Sequence, residues 1–137
     1  YAHSISKYTE AEDVIEGFLS EKIIMTLQSV SLNEDDLSSE KLKELAARME
    51  VDEVDYYDET GYLLYSNLEN LIGWEIYPDH PIDLFLKSDK KSLVEEIRQD
   101  VITGDWYKYG YFKLDNGGLI QVGLRANTVY AGPTRGR

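Results

Sequence analysis

Residues 4–30 carry Ile5, Tyr8, Ile15, Phe18, Leu19, Ile23, Met25, Leu27 and Val30 on a drifting apolar stripe at helical spacing. The stripe is sparse in its first half and dense in its second. One long helix is therefore expected, with its C-terminal part on a core and its N-terminal part projecting or pairing with another chain. Asn33, Glu34, Asp35 and Asp36 interrupt the pattern. Ser38 then suits the cap of a short amphipathic helix whose Leu42, Leu45, Ala46 and Met49 recur at i, i+3, i+4 and i+7.

Two hairpins follow, separated by a loop and more helix. VDEVDYYDETGYLLYSN turns at D-E-T-G, which suits a type I turn with Gly61 in the left-handed region. Val54, Tyr56 and Leu64 then share one face, and Asp55, Tyr57, Leu63 and Tyr65 the other. Residues 68–81 read as a loop with Gly73, Trp74, Pro78 and Pro81. A short turn of helix at 83–86 follows, then a helix over about 89–103 with Leu93, Val94, Ile97 and Val101 inward and Gly104 at its close.

The second hairpin, WYKYGYFKLDNGGLIQVGLRAN at residues 106–127, turns at Asp-Asn-Gly-Gly. An even-length loop mixes polar and apolar residues on both faces. An odd-length loop, a type I turn closed by a glycine bulge, segregates them. Phe112 and Leu114 then join Ile120, Val122, Leu124 and Ala126, while Tyr107, Tyr109, Tyr111 and Lys113 join Gln121, Gly123 and Arg125. The odd loop is the expectation. Residues 128–137 show no apolar period and read as a tail or linker, leaving residues 1–127 as one domain. The element order makes the class α+β, a small antiparallel sheet with helices.

Composition narrows the function. A chain of 137 residues suits a single domain. Its formal charge of −12, from 26 acidic against 14 basic residues, repels nucleic-acid phosphates and anionic lipid. The absence of cysteine excludes disulfides, thiolate metal sites and thiol nucleophiles. No run of about 18 apolar residues is present. The chain opens inside a helical pattern, so it is expected to be part of something longer. No G-x-S-x-G, phosphate-binding glycine loop or H-E-x-x-H occurs, and Glu95 and Glu96 read as the outer face of a helix, so no enzyme is expected. His80, beside Asp79 and Asp83 in PDHPID, is a single imidazole in a turn. The acidic runs lack the twelve-residue calcium loop. No metal or cofactor is expected.

The D-x-x-G-x-x-x-Y-S-N hairpin at residues 58–67, an IGW loop, and the YKY and IQVG strands at residues 107–123 follow a long helix in that order. This combination, over roughly residues 4–126, resembles the Cache (PAS-like) extracytoplasmic sensor domains of bacterial chemotaxis receptors and sensor histidine kinases. The resemblance implies a PAS-like antiparallel sheet backed by the long helix, with a small-molecule pocket on the opposite face under the loop and short helices. It implies a parent protein anchored in the membrane, with this domain on the extracytoplasmic side. Four strands are legible where such a sheet has five, so either the fifth lies at residues 128–130 or the domain is a short variant.

The candidate ligand-binding residues are Asp55, Tyr57, Tyr65, Trp74, Tyr107, Tyr109, Tyr111, Lys113, Gln121 and Arg125. Aromatic walls with a few oriented polar groups suit a small-molecule site. Lys113 and Arg125 suit a carboxylate or an amino acid, and Asp55 an amine. A weak homodimer through the N-terminal helix is expected. The alternative is an interaction domain that docks a partner protein through the tyrosine-rich face, since tyrosine and arginine are also enriched at interfaces.

Overall fold

The computed structural model describes residues 2–100 and 103–127, with side chains from residue 13 onward. Helix α1 (Ala2–Ser31) and helix α2 (Ser39–Met49) come first. Strands β1 (Glu53–Tyr57) and β2 (Leu63–Ser66), helix α3 (Pro81–Lys87) and strands β3 (Ser92–Val94), β4 (Arg98–Gln99), β5 (Trp106–Lys113) and β6 (Leu119–Arg125) follow. The six strands form one antiparallel sheet in the order β2-β1-β6-β5-β3, with β4 also paired to β5.

The C-terminal half of α1 lies on one face of the sheet, here called proximal. Ile23, Leu27 and Val30 are buried there with Leu42 and Leu45 of α2, Val54 of β1, and Ile120, Val122 and Leu124 of β6. Thr26 is buried among them, satisfied because its hydroxyl donates to the Lys22 carbonyl at 2.7 Å. Ile15, Phe18 and Met25 of the predicted stripe are instead exposed. Ile5 and Tyr8 lie outside the described side chains. The helix approaches closely because Gly110 has no side chain: a Cβ there would sit 2.2 Å from Ile23 Cγ2. Ser38 caps α2 as expected, its hydroxyl accepting from Lys41 N.

The β5–β6 register follows the odd loop. Phe112 pairs with Ile120, Tyr111 with Gln121 and Tyr107 with Arg125. Leu114 N donates to Gly118 O, and Gly117 takes φ +90, which closes the bulge.

Two further expectations fail. The helix expected over 89–103 is two short strands and a corner. Ser92, Leu93 and Val94 pair with Phe112, Tyr111 and Gly110, while Arg98 and Gln99 pair with Tyr107 and Trp106. The exposed hydrogen-bonding edge of the eight-residue β5 outweighs a weak helical period, and Leu93 and Val94 face opposite layers as a strand requires. This also supplies the fifth strand. The position proposed for it, residues 128–130, lies outside the described residues, as does Val101.

The second failure is the face of Tyr65. Asp55 pairs with Ser66 and Tyr57 with Leu63, with a bulge that leaves Leu64 unpaired. Tyr65 moves to the proximal face, stacked 5.6 Å from Tyr56, and Ser66 takes the place expected for it.

Candidate functional site

The opposite, distal face is covered by the loop over residues 67–80 and by α3. Its second core joins Tyr57, Leu63, Tyr109, Tyr111 and Leu119 of the sheet to Ile82 and Phe85 of α3, with Trp74, Leu93 and Tyr107 packed against them. Pro81 begins α3, and His80 caps it, its Nδ1 accepting from Ile82 N at 3.0 Å. The imidazole therefore acts within the turn. Burial, then the Arg98 charge, lowers its pKa below the ordinary 6.5. Trp74 packs edge-on against Tyr57, Tyr77 and His80, holding the loop down.

One transverse row crosses the middle of this face. Ser66, Asp55, Gln121 and Tyr111 are successive neighbours across β2, β1, β6 and β5, and their exposures are 0%, 0%, 4% and 0%. The Ser66 hydroxyl donates to Asp55 Oδ1 at 2.6 Å, and the Tyr57 hydroxyl donates to Gln121 Oε1 at 3.1 Å. Asp55 Oδ2 and the Tyr111 hydroxyl are buried without a partner in hydrogen-bond geometry. Glu53 approaches the first, and Arg98 and Glu95 the second. A buried polar atom left without a partner costs about 1–3 kcal/mol, so the row has unmet demand at Asp55 and at its Tyr111 end.

The electrostatics follow from this burial. Desolvation, and next the Glu53 charge, raises the Asp55 pKa well above the ordinary 3.8, with the Ser66 hydrogen bond opposing. Burial raises the Tyr57, Tyr109 and Tyr111 hydroxyls too, with nearby carboxylates adding to it. These phenols stay neutral at physiological pH and serve as hydrogen-bonding groups.

Of the ten residues singled out from sequence, the structure gathers Asp55, Tyr57, Tyr109, Tyr111 and Gln121 in the buried interior, with Tyr107 and Trp74 half-buried beside them. Tyr65 is on the other face. Lys113 and Arg125 share the distal side but are both engaged there, and Lys113 Nζ lies 4.9 Å from the ring centre of the buried Phe85. Lys113 Nζ donates to the Ser88 carbonyl at 2.6 Å at the end of α3, and Arg125, 54% exposed, pairs with Asp105. Another cation at the interior is Arg98, whose guanidinium lies 4.6 Å from the Tyr109 ring centre while its Nε donates to Glu95 at 3.0 Å. Sequence reasoning missed it by assigning it to a helix. It also missed Lys108, buried on the proximal face, whose Nζ donates to the Glu95 carbonyl at 2.7 Å and lies 3.6 Å from Glu16 of α1. The odd-loop register itself puts Lys108 on the dry side, and that was the available signal.

Two clefts lie elsewhere, the first with Glu21, Lys22 and Arg48 in its lining and the second with Gln28 and Ser92. One of about 560 Å³ lies between α1 and α2, lined by Phe18, Met25 and Met49, and one of about 80 Å³ lies beside Leu27 and Val94. Among the described residues there is no cluster of metal-ligating side chains and no helix long and apolar enough to cross a membrane.

No family model matches the chain, and no curated protein matches it. Solved structures do. The ligand-binding domain of the Campylobacter jejuni chemoreceptor Tlp3, in complex with 4-methylisoleucine, superposes at a TM-score of 0.60 and 13% identity, over 89% of this chain and 57% of that one. The sensor domain of the Vibrio cholerae histidine kinase DctB gives 0.55 and 14%, over 96% and 52%. The Bacillus subtilis YkuI protein, which has an EAL domain and was solved with c-di-GMP and calcium, gives 0.61 and 12%, over 91% and 35%. This chain thus spans 35–57% of the lengths of the proteins it matches here, and the likeness at these identities is one of fold. Long helix, antiparallel sheet and covered distal face together are the α+β PAS-like fold of the Cache sensor domains that the hairpin and strand motifs resemble.

Proposed function

We propose that the chain is an extracytoplasmic ligand-binding sensor domain of a membrane-anchored signalling receptor. A small solute binds on the distal face, between the sheet and the cover formed by residues 67–80 and α3, and α1 carries the response. The observation that supports this is the buried polar row with two unsatisfied atoms, Asp55 Oδ2 and the Tyr111 hydroxyl, walled by aromatic side chains. A face that only stabilised the fold would be expected to satisfy its buried polar atoms.

The competing reading, a partner protein docked on the tyrosines, has little surface to use: Tyr57, Tyr109 and Tyr111 are 3%, 7% and 0% exposed. Self-association through α1 fits the exposed Val14, Ile15 and Phe18. No step of chemistry is assigned to the domain.

The test is a thermal-shift screen of small metabolites against the chain. A ligand at about 100 times its dissociation constant adds roughly 2.7 kcal/mol to unfolding stability, a readily seen shift. Asp55→Asn and Tyr111→Phe should abolish that shift while the far-ultraviolet circular dichroism stays unchanged. A broad library with no stabiliser at millimolar concentration overturns the sensor reading.

A further inference from the structure

The charges around the row point to one class of solute. The carboxyls of Glu53 and Asp55, neighbours on one face of β1, are 8% and 0% exposed. Glu95 lies by the same interior. Against these three acids stands Arg98, already paired with Glu95. Lys113 and Arg125 are engaged at the rim, on Ser88 and Asp105. The interior is thus short of positive charge. It is also short of donors, because the orphaned Asp55 Oδ2 can accept and the Tyr111 hydroxyl can accept as well as donate.

An anion placed here would face three carboxyls with no uncommitted cation among the described residues to meet it. A donor-rich cation answers both deficits. Its N–H groups reach Asp55 Oδ2 and the Tyr111 oxygen, and its alkyl part lies against tyrosine rings whose faces attract positive charge. The negative charge of the whole chain, −12, draws such a solute in.

We infer that the solute of the distal face is a hydrogen-bonding organic cation, a primary ammonium or amidinium compound, rather than the carboxylate or amino acid that Lys113 and Arg125 suggest in the sequence. This rests on the reading of the distal face as a binding site, and the experiment separates the two.

The chain is titrated with propylamine, putrescine and agmatine, with propionate and succinate, and with glycine and alanine, by thermal shift and calorimetry. The expected result is stabilisation by the amines and none by the carboxylates. Asp55→Asn should weaken amine binding at least tenfold and Tyr111→Phe by a smaller factor, while Asp115→Asn, on the exposed turn, leaves it unchanged. If carboxylates or amino acids stabilise the chain through Asp55 and amines do not, the class is overturned and the sensor reading stands. An amine shift that survives both Asp55→Asn and Tyr111→Phe is general neutralisation of an acidic surface and overturns the proposal. Circular dichroism checks each variant, and if Asp55→Asn fails to fold, Tyr111→Phe carries the comparison.

Discussion

Replacing Gly110 by alanine tests how α1 is seated on the sheet. The added Cβ would lie 2.2 Å from Ile23 Cγ2, 3.3 Å from Leu27 Cδ1 and 3.5 Å from Val94 Cγ2. Carbon atoms rest about 3.5–4.0 Å apart, so the Ile23 contact must open by more than about 1 Å. Ile23 is 0% exposed and sits among close-packed neighbours, so either the side chain leaves its rotamer or α1 backs off the sheet. Overpacking of this kind costs about 1–3 kcal/mol. The loss of glycine's unfolded-state freedom returns about 0.4–1 kcal/mol, leaving a net loss centred at about 1.3 kcal/mol and at most about 2.6 kcal/mol. Urea denaturation followed by tryptophan fluorescence measures this. The clash is with one branch at Cβ, so Ile23→Leu, which moves that branch outward at constant volume, should recover most of the loss in the double variant. Ile23→Val keeps both branches and should not. A Gly110→Ala variant as stable as the parent, or equal rescue by leucine and valine, would refute the packing argument.

Stability should depend on pH through Asp55. Its folded pKa is raised above the ordinary 3.8, so between those two values the folded state holds a proton that the unfolded state has lost. Stability therefore falls as pH rises through that window, and Asp55→Asn should flatten the slope there; an unchanged slope contradicts the assignment. Asp58 and Asp83 are shifted down, so their contribution is lost as pH falls below about 3.8, in a separate window. On α1, Phe18 is 69% exposed beside Val14 at 60%, and Phe18→Ser should weaken any self-association seen by sedimentation without lowering stability by more than about 0.5 kcal/mol. Unchanged association would move the contact elsewhere.

The parts of the fold legible in sequence were those fixed by local chemistry. The type I turns with Gly61 and Gly117, the Ser38 cap and the segregation of the β5–β6 faces each follow from a few adjacent residues. What was missed depends on distant partners. Residues 92–94 have a pattern compatible with either element, and the open edge of β5 decides for strand. The bulge at Leu64 comes from β1 and β2 pairing with unequal lengths, and it exchanges Tyr65 for Ser66. On the distal face, residue type and strand alternation sufficed to bring Asp55, Tyr57, Tyr109, Tyr111 and Gln121 together. They could not show that Lys113 and Arg125 are taken up at the rim, because Ser88 and Asp105 meet them only in three dimensions.

The two faces of the sheet meet at Glu95. Its N–H donates to Tyr109 O at 2.8 Å, its carbonyl accepts from Lys108 at 2.7 Å, and its carboxylate accepts from Arg98 at 3.0 Å. Arg98 lies on the distal Tyr109 ring, whereas Lys108 points beneath the sheet to Glu16 of α1 at 3.6 Å. Under the proposed function, a solute that displaced Arg98 would act on a residue whose backbone also holds the lysine tied to α1. Proximity alone does not demonstrate coupling; a nonadditive free energy does. Arg98→Met and Glu16→Gln change residues on opposite faces and would add within about 0.5 kcal/mol if the faces were independent. Through Glu95 and Lys108 they should depart from additivity by more than that, and the departure should vanish in a Lys108→Met background, where the link is cut. Lys108→Met by itself should cost about 1–3 kcal/mol, because a partly buried carbonyl loses its donor. Additivity of Arg98→Met and Glu16→Gln in the parent chain would show that the sheet insulates its two faces, and the proposed response through α1 would then need another route.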